Sequence, residues 1–215
     1  MTVEERFTAV TQQLPPQVTL VAVSKTHPVN KIKEVYDLGQ RIFGENRVQE
    51  LIEKQPQLPA DIRWHLIGHL QRNKVKYIIE FIDTIESVDS AKLLSEIEKQ
   101  AEKINRKIKV LLQVKIAEED SKYGLTVSEA AAIFSDWKNG AFPHVEITGL
   151  MGMATFTDDD GQLQQEFGKL KKLYDDLNTD GRLSTLSMGM SGDFKTAIDC
   201  GSTSVRIGSA IFGSR

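Results

Sequence analysis

Short β-rich runs alternate with longer segments of helical period from one end of the chain to the other, and this alternation restricts the fold more than any other feature. Candidate strands are Thr19 to Ser24, Arg41 to Gly44, Arg63 to Ile67, Asp83 to Ser87, Ile108 to Lys115, Val145 to Leu150, Thr185 to Met188 and Ser204 to Ile207. Between them apolar residues recur at three- and four-residue steps. Ile32, Val35 and Tyr36, then Val48, Leu51 and Ile52, then Val75, Ile78 and Ile79 each predict one buried helical stripe. The clearest stripes are Leu93, Leu94, Ile97, Ala101 and Ile104, and later Leu163, Phe167, Leu170, Leu173, Tyr174 and Leu177. Thr126 with Glu129 makes a capping-box pattern, Ser90 precedes Leu93, and Asp158-Asp159-Asp160 reads as a solvated turn opening a helix.

Strand followed by helix, repeated eight times, requires parallel pairing, because each helix returns the chain to the same end of the sheet. The predicted fold is α/β, a closed (β/α)8 TIM barrel, with residues 1–215 as a single domain. A barrel of this type uses roughly 200 to 400 residues, so little room remains for insertions. An open doubly wound sheet would carry a glycine-rich fingerprint after its first strand. Here that strand ends Ser24-Lys25-Thr26-His27-Pro28.

Composition narrows the function classes. The chain has 27 basic and 30 acidic residues, a net charge of −3, and no dense basic cluster, which argues against nucleic acid as a partner. Cys200 is the only cysteine, so no internal disulfide and no multi-cysteine zinc site can form, and a cytoplasmic location is expected. The N-terminal acids do not resemble a secretory signal, and no apolar run is long enough to cross a bilayer, so no membrane is expected as a partner. A closed barrel leaves no sheet edge to pair, which favours a monomer.

Function in such barrels gathers at the carboxyl ends of the strands. Lys25, Asn46, His65, Ser87, Lys115, Met151, Gly189 to Ser191 and Arg206 to Ser209 fall there. The two-residue strand period puts Lys25 on one face with Val21 and Val23, looking into the barrel. Partial burial pushes a lysine pKa below its usual value of about 10.4 and leaves a nucleophilic amine able to form a Schiff base. The loops Ser187 to Asp193 and Val205 to Gly213 each follow a strand with a glycine-containing bend, the arrangement that presents backbone N–H groups to a phosphate. Arg206, inside a strand, has two readings: an ion pair with an interior carboxylate such as Glu45, or a hydrogen-bond donor to a ring nitrogen of a bound cofactor.

Val-Ser-Lys25-Thr, Phe-Gly-Glu-Asn46, Trp-His65-Leu-Ile-Gly-His-Leu-Gln-Arg-Asn-Lys, Gly-Leu-Met151-Gly-Met, Leu-Ser-Met-Gly-Met190-Ser191-Gly-Asp and Val-Arg206-Ile-Gly208-Ser209-Ala-Ile-Phe-Gly occur in this order along nearly the whole chain. Together they resemble the pyridoxal phosphate homeostasis proteins, single barrels similar to the N-terminal domain of alanine racemase. The resemblance implies a cytoplasmic binder of pyridoxal 5′-phosphate without established catalytic turnover. It implies Lys25 as the Schiff-base lysine, Ser191, Gly208 and Ser209 as the phosphate cradle, and Arg206 opposite the pyridine nitrogen. Asn46 and His65 would line the ring, and Met151 and Met190 would pack near it. His69 departs from the pattern, standing where a small or variable residue is expected between Gly68 and Leu70.

A guanidinium keeps its proton and therefore leaves a ring nitrogen unprotonated, which makes the ring a poorer electron sink. Transamination is disfavoured on that ground. Racemisation needs acid and base groups on both faces of the substrate carbon; in alanine racemase the opposite face is completed by a second domain and a partner subunit, and this length leaves no residues to build that domain. A slow amino-acid racemase, and a cofactor-free enzyme acting on a sugar phosphate with Glu45 as base, stay open beside the cofactor carrier. Transient exchange with pyridoxal phosphate-dependent apoenzymes or other proteins is a further open reading. His65 and His69 lack the glutamate and cysteines of a metal site, His27 and His144 read as loop residues, Tyr123 as a surface loop aromatic, and Arg72 with Lys74 as a solvated face.

Overall fold

The computed structural model describes residues 1–118 and 123–213. Its strands are β1 (Thr19–Val23), β2 (Ile42–Glu45), β3 (Arg63–Leu66), β4 (Thr84–Val88), β5 (Ile108–Gln113), β6 (Val145–Met151), β7 (Thr185–Ser187) and β8 (Ser204–Ile207). They pair in parallel in chain order, and β8 closes on β1 through Thr19 to Ala22 against Ser204 to Ile207. The predicted (β/α)8 barrel is therefore the fold, with every strand boundary within two residues of its expected place.

The helices are α1 (Val3–Thr11), α2 (Val29–Asp37), α3 (Val48–Lys54), α4 (Ala91–Lys103), α5 (Val127–Lys138), α6 (Asp160–Leu177), α7 (Phe194–Asp199) and α8 (Ser209–Phe212). Local chemistry starts them where the sequence indicates. Thr126 and Glu129 form a complete capping box on α5, the Ser90 hydroxyl accepts from Leu93 N on α4, and Asp159 accepts from Gly161 N and Gln162 N on α6. α1 carries the same capping box through Thr2 and Glu5, and its Arg6 Nε donates to Ile211 O at 2.8 Å, which ties the start of the chain to α8. The third expected stripe is a departure. Arg72–Tyr77 forms a 3₁₀ helix, with Val75 on it and Ile78 and Ile79 just beyond, all three buried. Arg106 caps the turn that follows by donating to Ile79 O and Ile82 O, each at 2.7 Å.

The apolar core lies between sheet and helices. Leu20, Ala22, Phe43, Trp64, Leu66, Val110, Ile147 and Val205 point outward from the strands and meet Ile32, Leu51, Leu93, Ile97, Phe134, Phe167 and Leu170 of the helices. Each buried Val, Leu, Ile or Phe among them contributes about 1.5–3 kcal/mol. The inner face is different in kind, since Glu86, Ser187 and Arg206 are all buried there. Residue Gly149 marks an irregularity between β5 and β6, where register shifts between Val110 and Leu111. A Cβ on Gly149 would lie 1.7 Å from Thr185 O of β7, so only glycine lets the two backbones meet. Gly149→Ala is expected to lower stability by at least about 1–3 kcal/mol, read as a fall in the urea midpoint at unchanged slope.

Candidate functional site

A cavity of about 590 Å³ opens at the carboxyl ends of β1, β2, β7 and β8, inside the usual range for small-molecule sites. Lys25, Asn46, Met190, Ser191, Arg206, Gly208 and Ser209 all line it, as the sequence leads one to expect. His65 and Met151 do not. The wall is instead formed by Ile67 and Met153, each two residues farther along the same strand direction, together with His27, Thr155 to Asp158 and Asp193. His27 stacks on Phe212 of α8 with ring centroids 4.9 Å apart, so it is a site-lining residue and not a bystander in a loop.

Lys25 lies two residues past the end of β1 and is half-buried, and the backbone around it is held from the outer side of the sheet. Thr26 has φ +68°, a conformation that is strained for a β-branched residue. Glu50 of α3 accepts from Thr26 N at 2.7 Å and maintains it. Lys54 Nζ, also on α3, reaches Ser24 O at 3.1 Å, Glu45 Oε1 at 2.8 Å and Glu50 Oε2 at 2.9 Å, while the Ser24 hydroxyl donates to Glu45 Oε1 at 2.6 Å. Burial pushes the Glu45 carboxyl up against the hydrogen bonds from Lys54 and Ser24 that hold it down. Glu45 is thus neither the partner of Arg206 nor a base at the cavity mouth. It shares the outward face of β2 with Phe43, where it pairs with a helix lysine.

The loops after β7 and β8 meet over the cavity. Gly189 takes φ +97°, and a Cβ there would strike Ala197 Cβ at 2.6 Å. Asp193 Oδ1 accepts from Met190 N at 2.5 Å, and the Ser191 hydroxyl accepts from Gly208 N at 3.3 Å and Ala210 N at 3.4 Å. Among the described residues the N–H groups of Ser191, Gly192 and Ser209 have no acceptor. These donors, with two hydroxyls, form a concavity suited to an oxyanion. On the opposite rim Glu166 of α6 accepts from Thr155 N at 2.6 Å, Thr155 Oγ1 at 2.7 Å and Glu118 N at 3.2 Å. Burial opposes the Glu166 charge, yet these bonds keep its carboxyl below the usual range.

Beneath the cavity the barrel interior carries a ladder of charged groups. Asp83 Oδ2 lies 3.5 Å from His65 Nε2, His65 Nδ1 lies 2.6 Å from Glu86 Oε1, and the Ser187 hydroxyl donates to Glu86 Oε2 at 2.6 Å. Arg206 Nη1 donates to Ser187 Oγ at 2.5 Å and Nη2 to Gly152 O at 2.9 Å. The interior carboxylate near Arg206 is therefore Glu86, which sequence reasoning missed although alternation from Thr84 places it on the inner face. Burial disfavours the His65 imidazolium, but Asp83 and Glu86 together raise its pKa. Burial likewise opposes the Glu86 charge, and His65, Arg206 and Ser187 keep its pKa low. The bond to His65 holds Asp83 well below the usual carboxylate range.

The other candidates fall elsewhere. His69 pairs with Asp89 at 2.9 Å and lies 5.9 Å from the exposed Tyr123 ring, and His144 pairs with Glu98 at 2.8 Å. Lys74 belongs to a second cavity of about 410 Å³, beside Tyr77. Among the described residues no cluster of metal-ligating side chains occurs, and no helix is long and apolar enough to cross a membrane.

Eight parallel strands with an inward lysine after the first and an oxyanion cradle after the last two define an alanine racemase-like barrel. The family model described as alanine racemase, N-terminal domain, matches residues 2–215. The pyridoxal phosphate homeostasis protein of Pasteurella multocida is 41% identical over 96% of this chain and 91% of its own. The human protein of that name is 41% identical over 93% of this chain and 77% of its own. The structure of PipY from Synechococcus elongatus with pyridoxal phosphate bound matches with TM-score 0.89 and 37% identity, covering 99% of this chain and all of that one. Alanine racemase of Clostridium difficile shares the fold, with TM-score 0.86 at 14% identity over 99% of this chain and 56% of the racemase chain. This chain belongs to the pyridoxal phosphate homeostasis proteins of the alanine racemase N-terminal domain family.

The ladder gives stability a defined pH profile. His65, with its pKa raised, contributes stability that is present below about pH 6.5 and lost as pH rises through its folded value. Asp83 and Glu86, with pKa values lowered, contribute stability present above about pH 4 and lost as pH falls through theirs. Melting temperature followed from pH 3 to 9 should fall on both sides, and His65→Gln should flatten the alkaline fall. Separately, Lys54→Met leaves the Glu45 carboxylate buried without its cation and should cost about 3–5 kcal/mol in chemical denaturation.

Proposed function

We infer that this protein binds pyridoxal 5′-phosphate in the cavity at the ends of β1, β7 and β8, with residues 1–215 acting as one unit, and serves vitamin B6 homeostasis in the cytoplasm. The observation that carries the reading is the meeting of Lys25, Arg206 and the Ser191, Gly208 and Ser209 cradle on one cavity. A phosphorylated, carbonyl-bearing heteroaromatic ring is the ligand whose functional groups match all three. The bound structure of PipY and the names of the relatives support it. The cradle's N–H groups want an anion, and the guanidinium, with donors to spare, wants a neutral acceptor.

Pyridoxal 5′-phosphate held there would supply an aldehyde, and Lys25 would be the amine placed to condense with it, with loss of water. Ser191, Gly208 and Ser209 anchor the phosphate end, Arg206 faces the ring nitrogen, and Asn46 and Met190 flank the ring. Met153 and Ile67 take the wall positions that Met151 and His65 were expected to fill. The role proposed is holding and releasing the cofactor, with pyridoxal phosphate-dependent apoenzymes as transient recipients. Arg206 supports holding over turnover, because a guanidinium does not protonate the ring and so leaves it a weak electron sink. Purified protein loaded with pyridoxal 5′-phosphate should show a visible absorbance band, and borohydride should fix the label on Lys25. Lys25→Ala should lose the band and the label while retaining weak binding through the phosphate cradle. A label on another lysine would overturn the assignment.

A further inference from the structure

We propose that Glu86, acting through the Ser187 hydroxyl, is a positioning residue that aims Arg206 at the ring nitrogen of the bound cofactor and so makes the site selective for a ring with an acceptor at that position. The proposal rests on the reading of the cavity as a pyridoxal phosphate site and adds to it the group that sets its selectivity.

The geometry carries the argument. Arg206 is 4% exposed, and a buried cation requires a counter-charge. Glu86 supplies it, but its Oε2 lies 3.9 Å from Arg206 Nη1, beyond hydrogen-bond distance. Ser187 fills the gap, with its hydroxyl accepting from Nη1 at 2.5 Å and donating to Oε2 at 2.6 Å. β4 and β7 are separated by two strands, so this bond spans the barrel interior.

A direct, two-pronged pair between Arg206 and Glu86 would satisfy the charge at the expense of the cavity. It would consume the donors on one edge of the guanidinium and draw the group toward β4. The intervening hydroxyl prevents this. It consumes one N–H of Nη1, Gly152 O takes one of Nη2, and the remaining donors have no acceptor among the described residues. Arg206 nevertheless lines the cavity, so those donors face whatever occupies it. Glu86 in turn cannot rise to take the direct pair, since its other oxygen is held by His65 Nδ1 at 2.6 Å. The aim of the guanidinium is therefore set two residues away from the ligand, by a carboxylate that does not line the cavity.

The test compares two ligands: pyridoxal 5′-phosphate, and the carbocyclic analogue with a C–H in place of the ring nitrogen. Both carry the same aldehyde and phosphate, so the ratio of their affinities isolates the Arg206 contact. Binding is measured by protein fluorescence quenching on the wild type, Glu86→Gln, Ser187→Ala and, as a control on the same strand, Ser87→Ala. The wild type should prefer the nitrogen-containing ring by about ten- to a hundredfold, the worth of a charge-assisted hydrogen bond. Glu86→Gln and Ser187→Ala should each shrink that ratio about tenfold or more, and Ser87→Ala should keep it. A merely structural role for Glu86 would weaken both ligands equally and leave the ratio unchanged, which would sink the proposal. If Glu86→Gln does not fold, Ser187→Ala decides alone, and an unchanged ratio there has the same meaning. A wild type that binds neither ligand would instead remove the pyridoxal phosphate reading itself.

Discussion

A guanidinium buried inside a parallel barrel is the constraint around which this molecule is arranged. TIM barrels ordinarily fill their interior with branched apolar side chains, which need no partners. Here β8 places Arg206 inward, and the desolvation of that charge obliges other strands to carry compensating groups into the interior. β3, β4 and β7 answer with His65, Glu86 and Ser187, and Asp83 at the foot of β4 completes an alternation of negative and positive groups. The burial that opposes every charge in the ladder also strengthens each contact between them, because water is absent to screen it. Removing a rung leaves its neighbour as an unpaired interior charge, so the ladder behaves as a unit.

Lys25 is supported in the opposite manner. Its strand is braced from outside the barrel by Ser24, Glu45, Glu50 and Lys54, an ion cluster between sheet and α3. Both networks reach the cavity through backbone neighbours: Ser24 precedes the lysine, and Arg206 pairs in register with Val21 of the same β1. The guanidinium of Arg206 and the amine of Lys25 therefore belong to adjacent strands with independent supports. Perturbing one support need not move the other.

Much of this was legible in the residues, and what was not has a common cause. Strand period and helix stripes placed all eight strands, and the first and last two loops brought Lys25, Ser191, Gly208 and Ser209 to one cavity. Height along the wall was harder to read: His65 and Met151 do not line the cavity, while Ile67 and Met153, two residues on, do. A strand's period fixes which face a side chain takes but not how high the wall stands, because that depends on where neighbouring loops leave the sheet. Glu45 was misread for a different reason, since alternation from Phe43 already puts it outward. The capping box of α1 was equally visible and simply lay outside the repeating pattern.

The short elements after β7 and β8 explain why the cradle stands on loops and not on a helix dipole. α7 has six residues and α8 four, too few for the aligned peptide dipoles that strengthen a longer helix's N-terminus. What they provide is geometry. Gly189 turns the chain into a conformation other residues avoid, and Asp193 locks Met190 N, which frees the next two N–H groups to face the cavity. The Ser191 hydroxyl then bridges to Gly208 and Ala210, so the two loops hold each other. Among the described residues the donors of this concavity are neutral N–H groups and hydroxyls, so an anion that enters or leaves it strands no cation within the cradle itself.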